Sequence, residues 1–220
     1  MTPKPKKAER SREHPRQLPS PGDSSDTTLD VLLEGTPLED SAFADLDLSN
    51  RRIPSLAGSN LIFERVSFAH CEIGSLRLFD VRLVDCDLSN TMLRAFEATR
   101  VEFIDCKLVG MNALGCQWQD VLLDHCDARF AQLSEARIRR CEIRSTQLRE
   151  AALSRIDLEA TQLIDVVLRK AELGETRLAG VDLTSCDIEE IALRVEDLRG
   201  AIVSAPQAME LARFLEVIIK

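Results

Sequence analysis

Seven cysteines and three histidines are the residues with which this 220-residue chain could bind a metal or build a nucleophile. His14, His70 and His125 lie far apart in the sequence, and no cysteine stands in a CxxC or CxxH pair of the kind that clamps zinc. Serine never occurs in a GxSxG setting, and neither a GxxxxGK[ST] nor a GxGxxG phosphate loop is present. Carboxylates are plentiful, 37 Asp+Glu against 28 Lys+Arg, but they are scattered as a solvated surface requires and no acid/base pair stands out. The expectation is a protein that is not an enzyme and needs no cofactor or metal.

The positions of the cysteines carry other information. Cys71, Cys86, Cys106, Cys116, Cys126, Cys141 and Cys186 all bear numbers ending in 1 or 6. Chance would arrange this about once in 80,000 trials, so a fixed period underlies the chain. Written in fives from Val31 (VLLEG, TPLED, SAFAD, LDLSN), the sequence runs to Gly200 without insertion. The third position of the quintet is Leu, Ile, Phe or Trp in 30 of 34 units, failing at Gly58, Ala98, Ala113 and Ala128. The first is small or apolar in 32 of 34, failing at Arg51 and Glu196. A period of five suits neither a helix nor a plain strand. Each quintet must be one short side of a coil, with its first and third residues inward and the other three outward.

The pattern seen in CDLSN, IDLEA, AELGE and VDLTS resembles the pentapeptide-repeat family. That resemblance implies an all-β solenoid, a right-handed quadrilateral β-helix with four quintets per coil, and hence about 8 coils here. Ladders at intervals of 20 agree with it: Cys86, Cys106 and Cys126; Val81, Val101 and Val121; and Phe43, Phe63 and Phe103 interrupted by Leu83. Aromatics are only 4% of the chain, so aliphatic side chains must fill the core.

Three segments follow. Residues 1–30 hold five of the eight prolines and six Lys/Arg in the first sixteen positions, the composition of a disordered basic arm. Residues 31–203 form the β-helix, with 31–60 irregular or capping because Arg51, Pro54 and Gly58 break the pattern. Bulky Leu56, Leu61, Leu76, Phe96 and Ile156 at first positions predict local widening of the rod. Residues 204–220 read as a C-terminal helix over 205–218 with Ser204 as N-cap. Its Leu211, Leu215 and Ile218 would either plug the open end of the solenoid or pair two copies, making the protein a monomer or a homodimer.

The quintet phase also sorts the surface by face. The face that begins at Ser41 is the most acidic, with nine acids and three bases, and displays Ile62, Val84, Ile104, Leu122 and Ile164 at outward positions. Asp85, Glu102, Asp105, Asp124 and Asp165 beside Val84, Ile104 and Ile164 are the candidate docking face for an unidentified, basic and partly apolar protein partner. The resemblance implies an alternative, since some members of the family imitate B-form DNA and inhibit or protect DNA gyrase, conferring quinolone resistance. Against that alternative stand the clustered Arg137, Arg139 and Arg140 and the basic arm. Direct nucleic-acid binding does not suit a repeat region with 20 basic and 30 acidic residues. No apolar run of 18 residues occurs and no hydrophobic segment follows the basic N-terminus, so the expected location is the cytoplasm, without a membrane association and with reduced thiols.

Overall fold

The computed structural model describes residues 12–16, 18–19 and 35–215. Ten parallel strands form one sheet wound into a solenoid: β1 Leu38–Ala44, β2 Arg52–Glu64, β3 Glu72–Val84, β4 Met92–Leu93, β5 Phe96–Ile104, β6 Gln117–Gln119, β7 Leu122–Asp124, β8 Arg137–Arg139, β9 Glu142–Arg144 and β10 Gln162–Ile164. The register advances by 20 residues throughout, from Phe43 opposite Phe63, to Phe63 opposite Leu83, to Leu83 opposite Phe103. The continuous ladder β1-β2-β3-β5-β7-β9-β10 makes about six turns, fewer than the eight coils expected. Beyond it the 20-residue step persists only as isolated bridges, the last joining Asp182 to Ile202. The later sides are too short and too sharply cornered to sustain strand pairing.

Corners explain why a period of five can close a coil. Most residues numbered in multiples of five have positive φ, among them Asp80 (54°), Asp120 (57°) and Asp165 (52°). A left-handed residue turns the chain sharply in one step, and Asp and Asn tolerate it better than most because their side chains bond locally. Ser55, Ser75 and Ala95 are not among these positive-φ residues. There β2 and β3 run on through the corner, and the bulky first-position residues that follow, Leu56, Leu76 and Phe96, are buried in the wider section this leaves.

First and third residues form one contiguous core from Leu38 to Leu211. Each fully buried Leu or Phe contributes about 1.5–3 kcal/mol, and no single coil could shelter it without its neighbours. The exceptions to the pattern make room. A Cβ on Gly58 would come within 2.3 Å of Leu61 Cδ1, and Leu61 is itself a large residue at a first position. Ala98 lies in register with Trp118, whose ring packs edge-on to Phe96 at 5.6 Å. Arg51 is exposed despite its first-position number.

Small polar residues at first positions serve the backbone. The thiol of Cys71 donates to Leu48 O at 3.0 Å, and Thr91 and Thr161 make the equivalent bond, each at 2.7 Å, to a carbonyl 23 residues earlier. All seven cysteines are free and buried.

The C-terminal helix is shorter than expected: α1 spans Ala205–Leu211 and gives way to a 3-10 turn over Ala212–Leu215. Ser204 caps it, and Gln207, which completes the capping box, also donates through Nε2 to Leu183 O and Cys186 O, both at 2.8 Å. Leu211 joins the core and Phe214 packs against it, so α1 covers the last coil. Ile218 lies outside the described residues. No helix among the described residues is long and apolar enough to cross a membrane.

Candidate protein-docking face

Stacking at about 4.8 Å per coil turns each outward position into a column of side chains. On the acidic face the second-position column runs Ile62, Arg82, Glu102, Leu122, Glu142, in strict register. The fourth-position column includes Val84, Ile104 and Asp124, and the fifth places Asp85, Asp105 and Asp165 at the corner.

The structure separates these residues into two groups. Glu102 is buried, accepting from Arg82 Nε at 2.9 Å and Arg12 Nη2 at 3.1 Å, with His14 Nδ1 also 3.1 Å away. Burial raises its pKa, and the contacts with His14, Arg82 and Arg12 outweigh that, holding it below the ordinary carboxylate value. Asp124 is half-buried and takes Arg144 Nη2 at 2.9 Å; burial raises its pKa as well, and Arg144 brings it below normal. Asp85, Asp105 and Asp165 are exposed and have no ion-pair partner among the described residues. Val84 and Ile104 are partly exposed and Ile164 is 36% exposed.

Two apolar residues expected to face outward, Ile62 and Leu122, are buried instead. Leu122 is bracketed in register by Glu102 and Glu142, and Arg12 spans both, its Nε 3.9 Å from Glu142 Oε2. Arg12 therefore lies across Leu122. Sequence patterning missed this because the covering residue comes from a segment outside the repeat.

That segment belongs to the arm expected to be disordered. Residues 12–16 lie against the solenoid, and the rest of 1–30, apart from 18–19, falls outside the described residues. Glu13 N–H donates to Asp120 Oδ1 at 3.2 Å and Arg16 N–H to Asp80 Oδ1 at 3.0 Å. Asp80 and Asp120, both buried, sit at the corner next to the acidic face and alternate with Arg100 and Arg140, which pair with them at 2.6 Å. Arg100 also lies 4.0 Å over the exposed ring of Phe79.

The same intercoil pairing neutralises much of the rest of the surface. Arg65 bridges to Asp45, Arg155 to Glu135 and Arg169 to Asp187. In the arginine cluster, Arg139 meets Asp157 at 2.7 Å and Arg140 meets Asp120, so two of its three charges are paired with carboxylates of this chain on the rod's surface. Among the described residues no group of three or more His, Cys, Asp or Glu is disposed to hold a metal ion.

Two family models match, one described as a pentapeptide repeat region over residues 76–153 and one as pentapeptide repeats over residues 161–194, together just over half of the chain. Among solved structures, the full-length plasmid-mediated fluoroquinolone resistance protein QnrB1 is 14% identical, with a TM-score of 0.40 over 80% of this chain and 100% of that one. HetL, a pentapeptide repeat protein involved in heterocyst differentiation regulation in Nostoc sp. strain PCC 7120, is 15% identical, with a TM-score of 0.30 over 77% of this chain and 87% of that one. Rfr23, a pentapeptide repeat protein of Cyanothece 51142, is 11% identical, with a TM-score of 0.23 over 74% of this chain and 88% of that one. No curated protein matches the chain.

Proposed function

Because this chain belongs to the pentapeptide-repeat family, we propose that it works as a non-enzymatic interaction scaffold that holds a protein partner on its acidic face. The observation that carries this reading is the uncompensated corner column. Asp85, Asp105 and Asp165 keep their charge free while most carboxylates nearby are paired, and Val84, Ile104 and Ile164 stand beside them as partly exposed apolar contacts. Two adjacent acids, Asp85 and Asp105, beside Val84 and Ile104, with Asp165 beside Ile164 three coils on, suit a basic partner with an apolar edge. A core filled by first- and third-position side chains offers no interior site for a substrate, which favours binding over catalysis. Free, buried cysteines suit a reducing compartment such as the cytoplasm.

The test compares wild type with the triple reversal D85K/D105K/D165K as immobilised baits. A partner held by wild type and lost from the reversal supports the face; a partner held equally by both sinks it. Mimicry of DNA toward gyrase is the weaker reading, since a phosphate surrogate needs unpaired acids in long rows and here Asp45, Glu102, Asp124 and Asp187 are each matched by an arginine. A supercoiling assay titrated with the protein, with and without a quinolone, separates the two: inhibition or drug protection that weakens in the reversal variant would reinstate mimicry.

A further inference from the structure

We propose that the buried carboxylates Asp80, Glu102 and Asp120 form a binding site for an extended arginine-bearing peptide, and that residues 12–16 of this chain are its resident, exchangeable ligand. The inference goes beyond the docking reading and does not depend on it, since the occupant is the chain's own segment.

Spacing makes the case. Asp80 and Asp120 occupy the same corner two coils apart, about 9.6 Å at the usual strand separation. The two backbone donors they accept, Glu13 N–H and Arg16 N–H, are three residues apart, about 10 Å in extended chain. The coil between presents Arg100, already committed to Asp80 and 4.0 Å from Glu13 Oε2. An extended peptide lying along the rod axis is thus read at every second coil, with the repeat as its ruler.

The segment is shaped for that geometry. Pro15, one of the two positions between the donors, lacks an N–H and so adds no unmet backbone donor there, and it holds His14 before it in extended conformation. Arg12, one residue before the first donor, supplies the charged anchor. Its side chain and that of Glu102 are each only 5% exposed, and its Nε, without a hydrogen-bond partner among the described residues, faces Glu142. Buried carboxylates that bond backbone N–H groups recognise a peptide as such, and the Glu102 position selects for arginine.

The segment and its site are covalently tethered, so a free peptide must compete with the arm. The experiment uses the full chain and a fluorescein-labelled peptide of residues 9–19, ERSREHPRQLP, read by anisotropy. R12A, a change confined to the arm, weakens the resident ligand and should let the chain bind the labelled peptide roughly tenfold more tightly than wild type does. Adding D120N to R12A should abolish that gain, and a scrambled peptide of equal charge should bind neither chain. Equal affinity for wild type and R12A, or equal binding of the scrambled peptide, would overturn the proposal. Limited trypsin digestion gives a second reading on the intact arm. Cleavage after Arg12 should lag that after Arg10 in wild type and catch up in D120N; no lag in wild type would also overturn it. Neither measurement involves Asp85, Asp105 or Asp165, so its failure leaves the docking face untouched.

Discussion

Arg12 and Glu102, ninety residues apart in sequence, meet at 3.1 Å with each side chain 5% exposed, and Arg82 holds the other oxygen of the same carboxylate. One buried acid therefore ties a non-repeat segment to the repeat. R12A should lower stability by about 1.5 kcal/mol, the worth of a charge-assisted bond, while Arg82 keeps Glu102 from being left unpaired. Urea denaturation followed by circular dichroism checks this, and an unshifted midpoint would mean the pair adds nothing.

Acid should loosen the rod from its paired carboxylates. Glu102, Asp120 and Asp124 all have folded pKa values below normal, in each case because arginine and N–H contacts outweigh the opposing effect of burial. A depressed folded pKa contributes stability that is complete above the unfolded value, about 3.9 for Asp and 4.3 for Glu, and is lost as pH falls through the folded one. The urea midpoint should hold constant from about pH 8 to 5 and drop below about pH 4. A midpoint that rises on acidification would contradict the assignment.

Trp118 is fully buried between Phe96 and Phe103, with centroids at 5.6 and 6.1 Å, and its Nε1–H has no acceptor among the described residues. W118A should cost about 3–5 kcal/mol through the cavity it leaves. W118F removes the unsatisfied donor along with some volume, and the two effects oppose each other, so its cost should be under about 1.5 kcal/mol. Circular dichroism is the readout, since the only tryptophan is the one replaced.

The thiols should be inert in the folded protein. Burial pushes Cys116 and Cys141 up to about 12, and hydrogen bonds with Cys126 and Cys86 raise Cys106; the same bonds lower Cys86 and Cys126, and what protects those two is that their sulfurs are buried away from any reagent. Ellman's reagent at pH 8 should label none of the seven until denaturant unfolds the chain, with labelling tracking the loss of circular dichroism. C106S should be tolerated because serine can make the same bond to Leu83 O, whereas C106L should cost about 1–3 kcal/mol by overfilling the slot.

The corner column should be free of structural duty. D85K/D105K/D165K changes three exposed carboxylates without ion-pair partners among the described residues, and should shift stability by no more than about 0.5 kcal/mol per site. D120K in the neighbouring column puts a cation against Arg140 and should be severely destabilising. Equal effects from the two variants would show that the columns do not differ in kind.

Periodicity made most of the architecture legible. Leu at the third position and Cys, Val or Thr at the first state which way each side chain points, and a step of 20 aligns Phe43 with Phe63 and Val81 with Val101 in the structure as in the ladders. These are local and repeating relations, so one sequence carries many copies of the same evidence. Relations that occur once were not legible. Gly58 reads as a defect until Leu61 is seen against it, and Ala98 until Trp118 is. Outward carboxylates look alike in sequence, yet Glu102 and Asp120 are buried while Asp85 and Asp105 are exposed. The difference lies in whether an arginine 20 residues away is free to pair, since Arg65 beside Asp85 is committed to Asp45, and in where the segment around Arg12 comes to rest. Composition argues only that such a segment cannot build a core of its own. That it can be held by a preformed row of carboxylates at matching intervals depends on the distance between coils, which exists only once the chain is wound.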